Sequence, residues 1–475
     1  MLRFRTGEIL LVFLFAACVC FQLFVPPSIG LANNGDFGKM IGRFSLGPET
    51  FDTSEEYRYF TAHWVYDRSF QWISDDVSSE LIPISAAVLT GWWFSNQTFD
   101  IRILGAIHAL LWIACFAMFV PLLRPLAGWR RYVTGIAALF IGTDVSYIAY
   151  FNSFYTDVAA FVFLAWAVVL WLHLIRRQRP SAGLFVTFVG AAALCVLSKS
   201  QHTPIAIFLW ALAVLAAASF DWRRRTAAIG FSLLILLAAA VTIDVMPESE
   251  IGARKYAVIF LSILHKSPAP LDDLRELGLG PEYLRYVDYW PQRPGEDPLT
   301  NPEWRAAFVS RANYGPIAKF YLRHPWRALV IMYRVLKDRA RLHRPELGNY
   351  EQKYGLPPGT QTKSFAWWSV LRSAMFRIAP WHILAWYTGL LVMGIRLAIR
   401  SATIPTRISL FAVLLAGMGL VELAVSSLVD AGETERHLFL FHVITDFTVI
   451  LAIVWAAQNA ARKGSNATHS ASLPA

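Results

Sequence analysis

Apolar residues gather along this chain into runs near 20 residues long, joined by short basic connectors and interrupted twice by long stretches that mix charge with aromatic side chains. An α-helix rises about 1.5 Å per residue, so a run of roughly 20 apolar residues matches the ~30 Å hydrocarbon layer of a bilayer. The pattern predicts ten spanning helices, near 8–25, 101–122, 131–150, 154–175, 181–199, 203–219, 226–244, 379–398, 407–428 and 437–457. The fragment ELIPISAAVLTGWWF (80–94) is shorter than a span, holds Pro83 and ends in Trp92, Trp93 and Phe94, which suit the headgroup layer. It is read as a helix lying on the membrane surface.

These elements divide the chain into a first transmembrane helix (1–25), a first extracytoplasmic loop carrying the surface helix (26–100), a transmembrane core (101–244), an extracytoplasmic helical insertion (245–378), C-terminal transmembrane helices (379–457) and a cytoplasmic tail (458–475). The fold class expected is an all-α integral membrane protein with two large outer loops. Both loops are rich in Trp, Tyr and Phe, and the second holds helical patterns at 255–265 and 326–343, which argues against disorder.

A chain that is 56% hydrophobic and 16% charged is no water-soluble globule. Its net charge of +10 has an uneven distribution: the segments 1–7, 121–132, 174–182, 220–227, 395–408 and 458–475 hold 16 Lys and Arg against one acid, Asp221. With ten spans all six fall on one side, so the positive-inside rule places both termini in the cytoplasm and the two long loops outside. Counting 80–94 as a span would send three arginine clusters outward. The basic balance is thus a topology signal, and no nucleic-acid partner is expected. The cysteines Cys18, Cys20, Cys115 and Cys195 all sit in apolar runs, without the spacing of a disulfide or zinc framework.

Several short stretches combine in a telling order: ANNGDFGK (32–39) after the first helix, FDIRILGAIHALLWIACFAMFVPLLRP (99–125), YFNSFYTDVAAF (150–161), LCVLSKSQHTPIAIF (194–208), FYLRHPWRALVIMYR (320–334) and GETERHLFLFH (432–442). This order resembles the integral-membrane glycosyltransferases of the GT-C class, such as protein O-mannosyltransferases and lipid A aminoarabinose transferases. It is most similar to the hexose transferases of bacterial surface-glycan assembly, whose first outer loop also opens with Asn-Gly-Asp-Phe. The resemblance implies a polyprenyl-phosphate-linked sugar donor, contact with membrane lipids, a glycan, lipid or protein acceptor, and residence in a bacterial inner membrane with an extracytoplasmic active site. It also implies that a lysine at the position of Lys199 meets the lipid-linked phosphate.

Glycosyl transfer to a hydroxyl needs a carboxylate to take the acceptor proton and cations to stabilise the leaving phosphate. Asp36, projecting from a Gly-preceded turn at Asn34-Gly35, is the first candidate base; it could instead close an Asx-turn or cap a helix starting at Phe37. Asp157 could orient the acceptor, share a divalent cation such as Mg or Mn with Asp36, or cap its helix with Thr156. Asp144, below the outer surface, should face the bundle interior or a wet cavity. Lys199, Gln201 and His202 at one helix junction, and Arg436 with His437 in the last outer turn, are candidates for the donor phosphate. Snorkelling of Lys199 and a helix-end ion pair between Glu433 and Arg436 are the alternatives. His324 and the basic run Arg334, Lys337, Arg339, Arg341 and Arg344 could hold an anionic acceptor or ride on headgroup phosphates. Two other function classes remain open: a transporter or flippase, and a polymerase or ligase of lipid-linked glycans.

Overall fold

The computed structural model describes residues 4–48, 58–67, 77–126, 128–177, 181–289, 298–342, 347–400 and 404–470. The first span α1 (Thr6–Phe24) leads to a long loop with α2 (Phe37–Ile41) and α3 (Leu81–Phe94). The transmembrane core follows as α4 (Arg102–Phe119), α5 (Arg130–Gly142), α6 (Val145–Ile148), α7 (Asp157–Arg176), α8 (Ala182–Val196), α9 (Ala206–Ala217) and α10 (Trp222–Asp244). The second insertion supplies α11 (Glu248–Tyr256), α12 (Pro270–Glu276), α13 (Pro302–Arg311), α14 (Tyr314–Arg323), α15 (Pro325–Asp338) and α16 (Trp367–Ile378). The described chain closes with α17 (His382–Arg400), α18 (Ile404–Leu428), α19 (Thr434–His437) and α20 (Phe439–Ser470).

All ten expected spans are helical, yet among the described residues only eight helices are individually long and apolar enough to cross a bilayer. The 131–150 segment is instead a pair bent by 50° between α5 and α6. Its cause is local: Thr143 leaves helical geometry and Asp144 caps α6, accepting from the Ser146 amide at 2.9 Å. The carbonyls freed at the break are met by Trp112 Nε1 (2.9 Å to Gly142) and Gln22 Nε2 (2.9 Å to Thr143). In a bilayer an unmet backbone group costs several kcal/mol, so these side chains make the break tolerable. The 181–199 segment is α8, with 15 residues.

α3 follows the reading of 80–94 as a short helix. Pro83, Ile84, Ala87, Val88 and Gly91 are buried, while Ile82, Leu89, Trp92, Trp93 and Phe94 are exposed. Its head is pinned next to the Lys199 junction, because Ser78 and Ser79 donate to the carbonyls of Ser198 (2.6 Å) and Leu194 (2.7 Å). Glu80 pairs with His108 at 2.8 Å.

The two long loops add strands that helical periodicity does not reveal. β1 (Ile29–Leu31) pairs antiparallel with the distant strand of Leu347–Tyr350, and a three-stranded meander joins Leu46–Pro48, His63–Tyr66 and Thr98–Asp100. The first pairing stitches the two long loops together. The pattern at 255–265 is α11 passing into a π-helical stretch, Ala257–Ile263; the pattern at 326–343 ends as helix at Asp338, and residue 343 lies outside the described residues. The insertion has its own aromatic core around Tyr256, Phe260, Tyr283, Phe308 and Phe320. Its last helix α16 is anchored in the bundle: Arg372 pairs with Asp446, which also accepts from Tyr147 and from Trp368 Nε1 (2.6 Å).

Candidate functional site

A cavity of about 210 Å³ lies where the start of α7 and the end of α10 meet α2, α11 and α19. The turn before α2 is built by its own asparagines. Asn33 Oδ1 accepts from the amides of Gly35 (2.9 Å) and Phe37 (3.3 Å), and Asn34 Oδ1 accepts from the amide of Asp36 at 3.2 Å. Gly35 takes φ +92°, a conformation that favours glycine. Asp36 therefore sits at the cap position of α2 without capping it. Its carboxylate makes no cap hydrogen bond and pairs with Arg436 and, at 3.0 Å, with Lys39 three residues on. Burial pushes the Asp36 carboxyl up, but the charges of Arg436 and Lys39 more than offset this and hold it well below the usual carboxylate range.

Arg436 is the hub of the opposite wall. One terminal nitrogen meets Asp36, the other meets Glu433 at 3.0 Å, and the guanidinium lies 5.4 Å over the Tyr155 ring. Its Nε–H is buried and has no partner among the described residues. Glu433, three residues upstream, holds the left-handed backbone value φ +34° and accepts from Asn34 Nδ2 at 3.0 and 3.3 Å. Asn34, Glu433, Arg436 and Asp36 thus close a ring between the first long loop and the turn before α20.

The floor carries a second pair. Lys199 lies 3.5 Å from Asp157, at the limit of a hydrogen bond, and both side chains are largely buried. Thr156 makes no side-chain cap on α7, although Asp157 sits favourably in the first turn. His437 Nδ1 lies 2.9 Å from the Asp430 carbonyl and 3.3 Å from its carboxylate. Burial raises the Asp430 carboxyl, while His437, Arg254, Lys199 and Arg436 together bring it below its ordinary value.

The cavity lining includes Asp36, Asp157, Lys199, Glu433, Arg436 and His437 from the sequence candidates, and Asn34 reaches it through Glu433. Gln201 and His202 pack behind the wall. Gln201 donates to the His437 carbonyl (2.7 Å) and to Ser426 (3.1 Å), and His202 pairs with Glu422 at 3.0 Å. Asp144 is elsewhere, satisfied by the amides of Ser146, Trp368 and Ser369. His324 pairs with Glu276 at 2.9 Å in the second insertion, and Arg344 lies outside the described residues.

Sequence reasoning missed Lys39, Glu250, Arg254 and the role of Tyr155. Arg254 pairs with Glu250 and lies 3.7 Å from Asp430, and it donates to Ser200 at 2.7 Å. The signal for this pair was present: Glu250 and Arg254 are four residues apart, directly after the seventh expected span. Among the described residues no group of three or more His, Cys, Asp or Glu side chains is placed to hold a metal ion. Asp36 and Asp157 each already face a cation, so this carboxylate pair is a poor fit for a resident divalent metal.

The family profile described as the YfdI N-terminal transmembrane domain matches residues 2–471. The chain belongs to this family. Every cavity residue named above falls inside the stretch matched to the YfdI N-terminal transmembrane domain. No curated protein matches the chain. Among solved structures, the archaeal oligosaccharyltransferase AglB from Archaeoglobus fulgidus, in complex with an inhibitory peptide and a dolichol-phosphate, is similar at 11% identity and a TM-score of 0.40. The alignment covers 99% of this chain and 52% of AglB, so the chain spans about half the length of that enzyme.

Proposed function

We propose that the chain is a membrane glycosyltransferase that moves a hexose-like sugar from a polyprenyl-phosphate carrier to a hydroxyl of an extracytoplasmic glycan, lipid or protein acceptor. The observation that carries this reading is the convergence of Asp36, Asp157, Lys199 and Arg436 on one cavity at one end of the spans. A carboxylate and two cations around a shared void are what direct displacement at an anomeric carbon requires. Lys199 and Arg436 would hold the phosphate that leaves with the lipid, and Asp36 would take the acceptor proton. Asp157 would orient the acceptor and hold Lys199. Direct attack inverts the anomeric centre.

The same reading places the enzyme in a bacterial inner membrane, with both termini cytoplasmic and the cavity facing outward. The test is glycan-lipid analysis of a deletion strain, paired with transfer from labelled polyprenyl-phosphate hexose by the full chain in nanodiscs. Loss of one sugar from an otherwise exported glycan supports the transferase. Loss of export points to a flippase and loss of polymer length to a polymerase or ligase, and either result overturns the proposal.

A further inference from the structure

We propose that Arg436 is a two-position latch, shared between the Asp36 carboxylate in the empty cavity and the phosphate of a bound donor, so that seating the donor is what frees Asp36 to act as base. The proposal rests on the transferase reading and adds an order to it.

Three features of the cavity support the latch. The guanidinium bridges two carboxylates, Asp36 and Glu433, and Asn34 holds Glu433 in place; the latch takes the Glu433 contact as the anchor and the Asp36 contact as the one exchanged. The buried Nε–H of Arg436 lacks a partner among the described residues, and an anion entering the cavity is an acceptor it can reach. Glu433 occupies a left-handed conformation that non-glycine residues avoid, and such strain persists where surrounding contacts enforce it, often at switch points. The turn that carries Arg436 is thus braced against the turn that carries Asp36.

A carboxylate that faces two cations is a weak base, because the same charges that favour its ionised form oppose its taking a proton. The charged groups around Asp36 are Lys39 on its own helix, Arg436 and Glu433 from the last turn with Asp430 and His437 behind them, Asp157 from α7, Lys199 from the junction, and Glu250 and Arg254 from α11. Of these, Arg436 and Lys39 are the two cations paired with it. A donor phosphate neutralises Arg436 and leaves Lys39 in place, so Asp36 stays ionised yet gains proton affinity. The transfer then balances. The acceptor oxygen bonds to the anomeric carbon, and the bond from that carbon to the phosphate oxygen breaks with its electron pair kept by the phosphate. The acceptor proton passes to Asp36, while Arg436 and Lys199 hold the charge that the phosphate gains. An acceptor that arrives before the donor meets a base too weak to activate it.

Infrared difference spectroscopy on the full chain in nanodiscs, titrated from about pH 7 down to about pH 2 with and without undecaprenyl phosphate, reads the protonation of Asp36 directly. Binding of the lipid is scored separately by native mass spectrometry. The protonated-carboxyl band should grow in at least about one pH unit higher with the lipid bound, a tenfold gain in proton affinity, and should be missing in Asp36→Asn. In Arg436→Gln it should appear at the higher pH without lipid, whereas Arg436→Lys should keep the low value. A lipid that binds and leaves the midpoint unmoved overturns the latch alone. A lipid that does not bind overturns the donor reading and the latch together.

Discussion

Lys199 stands in two relationships, to Asp157 and to the proposed donor phosphate, and a pair of variants separates them. Lys199→Met keeps the length and the apolar stem of the side chain while removing its charge. Asp157, whose side chain is 3% exposed, then loses the ammonium 3.5 Å away. Removing one partner of a buried pair costs about 3–5 kcal/mol, and the loose geometry here puts the expected loss near the lower end, about 3 kcal/mol. Loss of a charge-assisted phosphate contact costs a further ~1.5–3 kcal/mol of donor binding, or roughly 10- to 150-fold in affinity. Adding Asp157→Asn removes the stranded charge, so stability should recover most of its loss while donor affinity stays low. Thermal unfolding in nanodiscs measures the first quantity, and equilibrium binding of a labelled polyprenyl-phosphate sugar measures the second. If the double variant binds donor as tightly as the wild type, Lys199 serves only to neutralise Asp157 and the phosphate assignment fails.

Asp36→Asn preserves the turn and should cut transfer by about 10²–10⁴-fold at unchanged donor binding, since Asn cannot accept the proton; near-normal turnover would make Asp36 a turn former only. Because the folded Asp36 carboxyl lies below its unfolded value, its contribution to stability is fully present above about pH 4 and is lost as pH falls through the lower folded value, so the melting difference from Asp36→Asn should be flat from about pH 5 to 8 and shrink only in stronger acid. Arg372→Met should destabilise by about 3–5 kcal/mol by stranding Asp446, and a second change, Asp446→Leu, should restore most of it in the same unfolding assay. Reporters fused near residue 126 and near residue 300 should read cytoplasmic and extracytoplasmic respectively, and an outward signal at 126 would break the ten-span map. Chelator should leave transfer intact, given the cations already at Asp36 and Asp157; its loss would put a divalent ion between them.

The helical skeleton was legible because bilayer length and apolar run length are the same constraint seen twice. The bend at Gly142-Thr143-Asp144 was less so: hydropathy continues smoothly through it, and the groups that make it tolerable, Gln22 and Trp112, come from other helices. The small strands escaped because β1 finds its partner at Leu347–Tyr350, a pairing that no local periodicity encodes. In the site, single polar residues at helix exits were visible as candidates, but their partners were not. Sequence could propose Asp36 as a cap or a base; Lys39 is a local neighbour three residues on, and only the fold brings Arg436 to it. Gln201 and His202 read like phosphate ligands from their junction, yet they buttress the last turn from behind. Arg254 carries no mark of a cavity in the sequence, because an i,i+4 pair with Glu250 is common on exposed helices.

The ring that joins Asn34 and Asp36 to Glu433 and Arg436 also sets a schedule for biogenesis. Asp36 and Arg436 are 400 residues apart in the chain, and at a translation rate of roughly 5–20 residues per second the first turn waits on the order of 20–80 s for its counterpart. On the proposed transferase reading, the nascent chain would hold a base without its latch throughout that interval. Donor lipid in the surrounding membrane would then meet no competent site on a ribosome-bound intermediate, and a polypeptide stalled or clipped before the turn that carries Arg436 would be catalytically silent rather than a source of misdirected sugar.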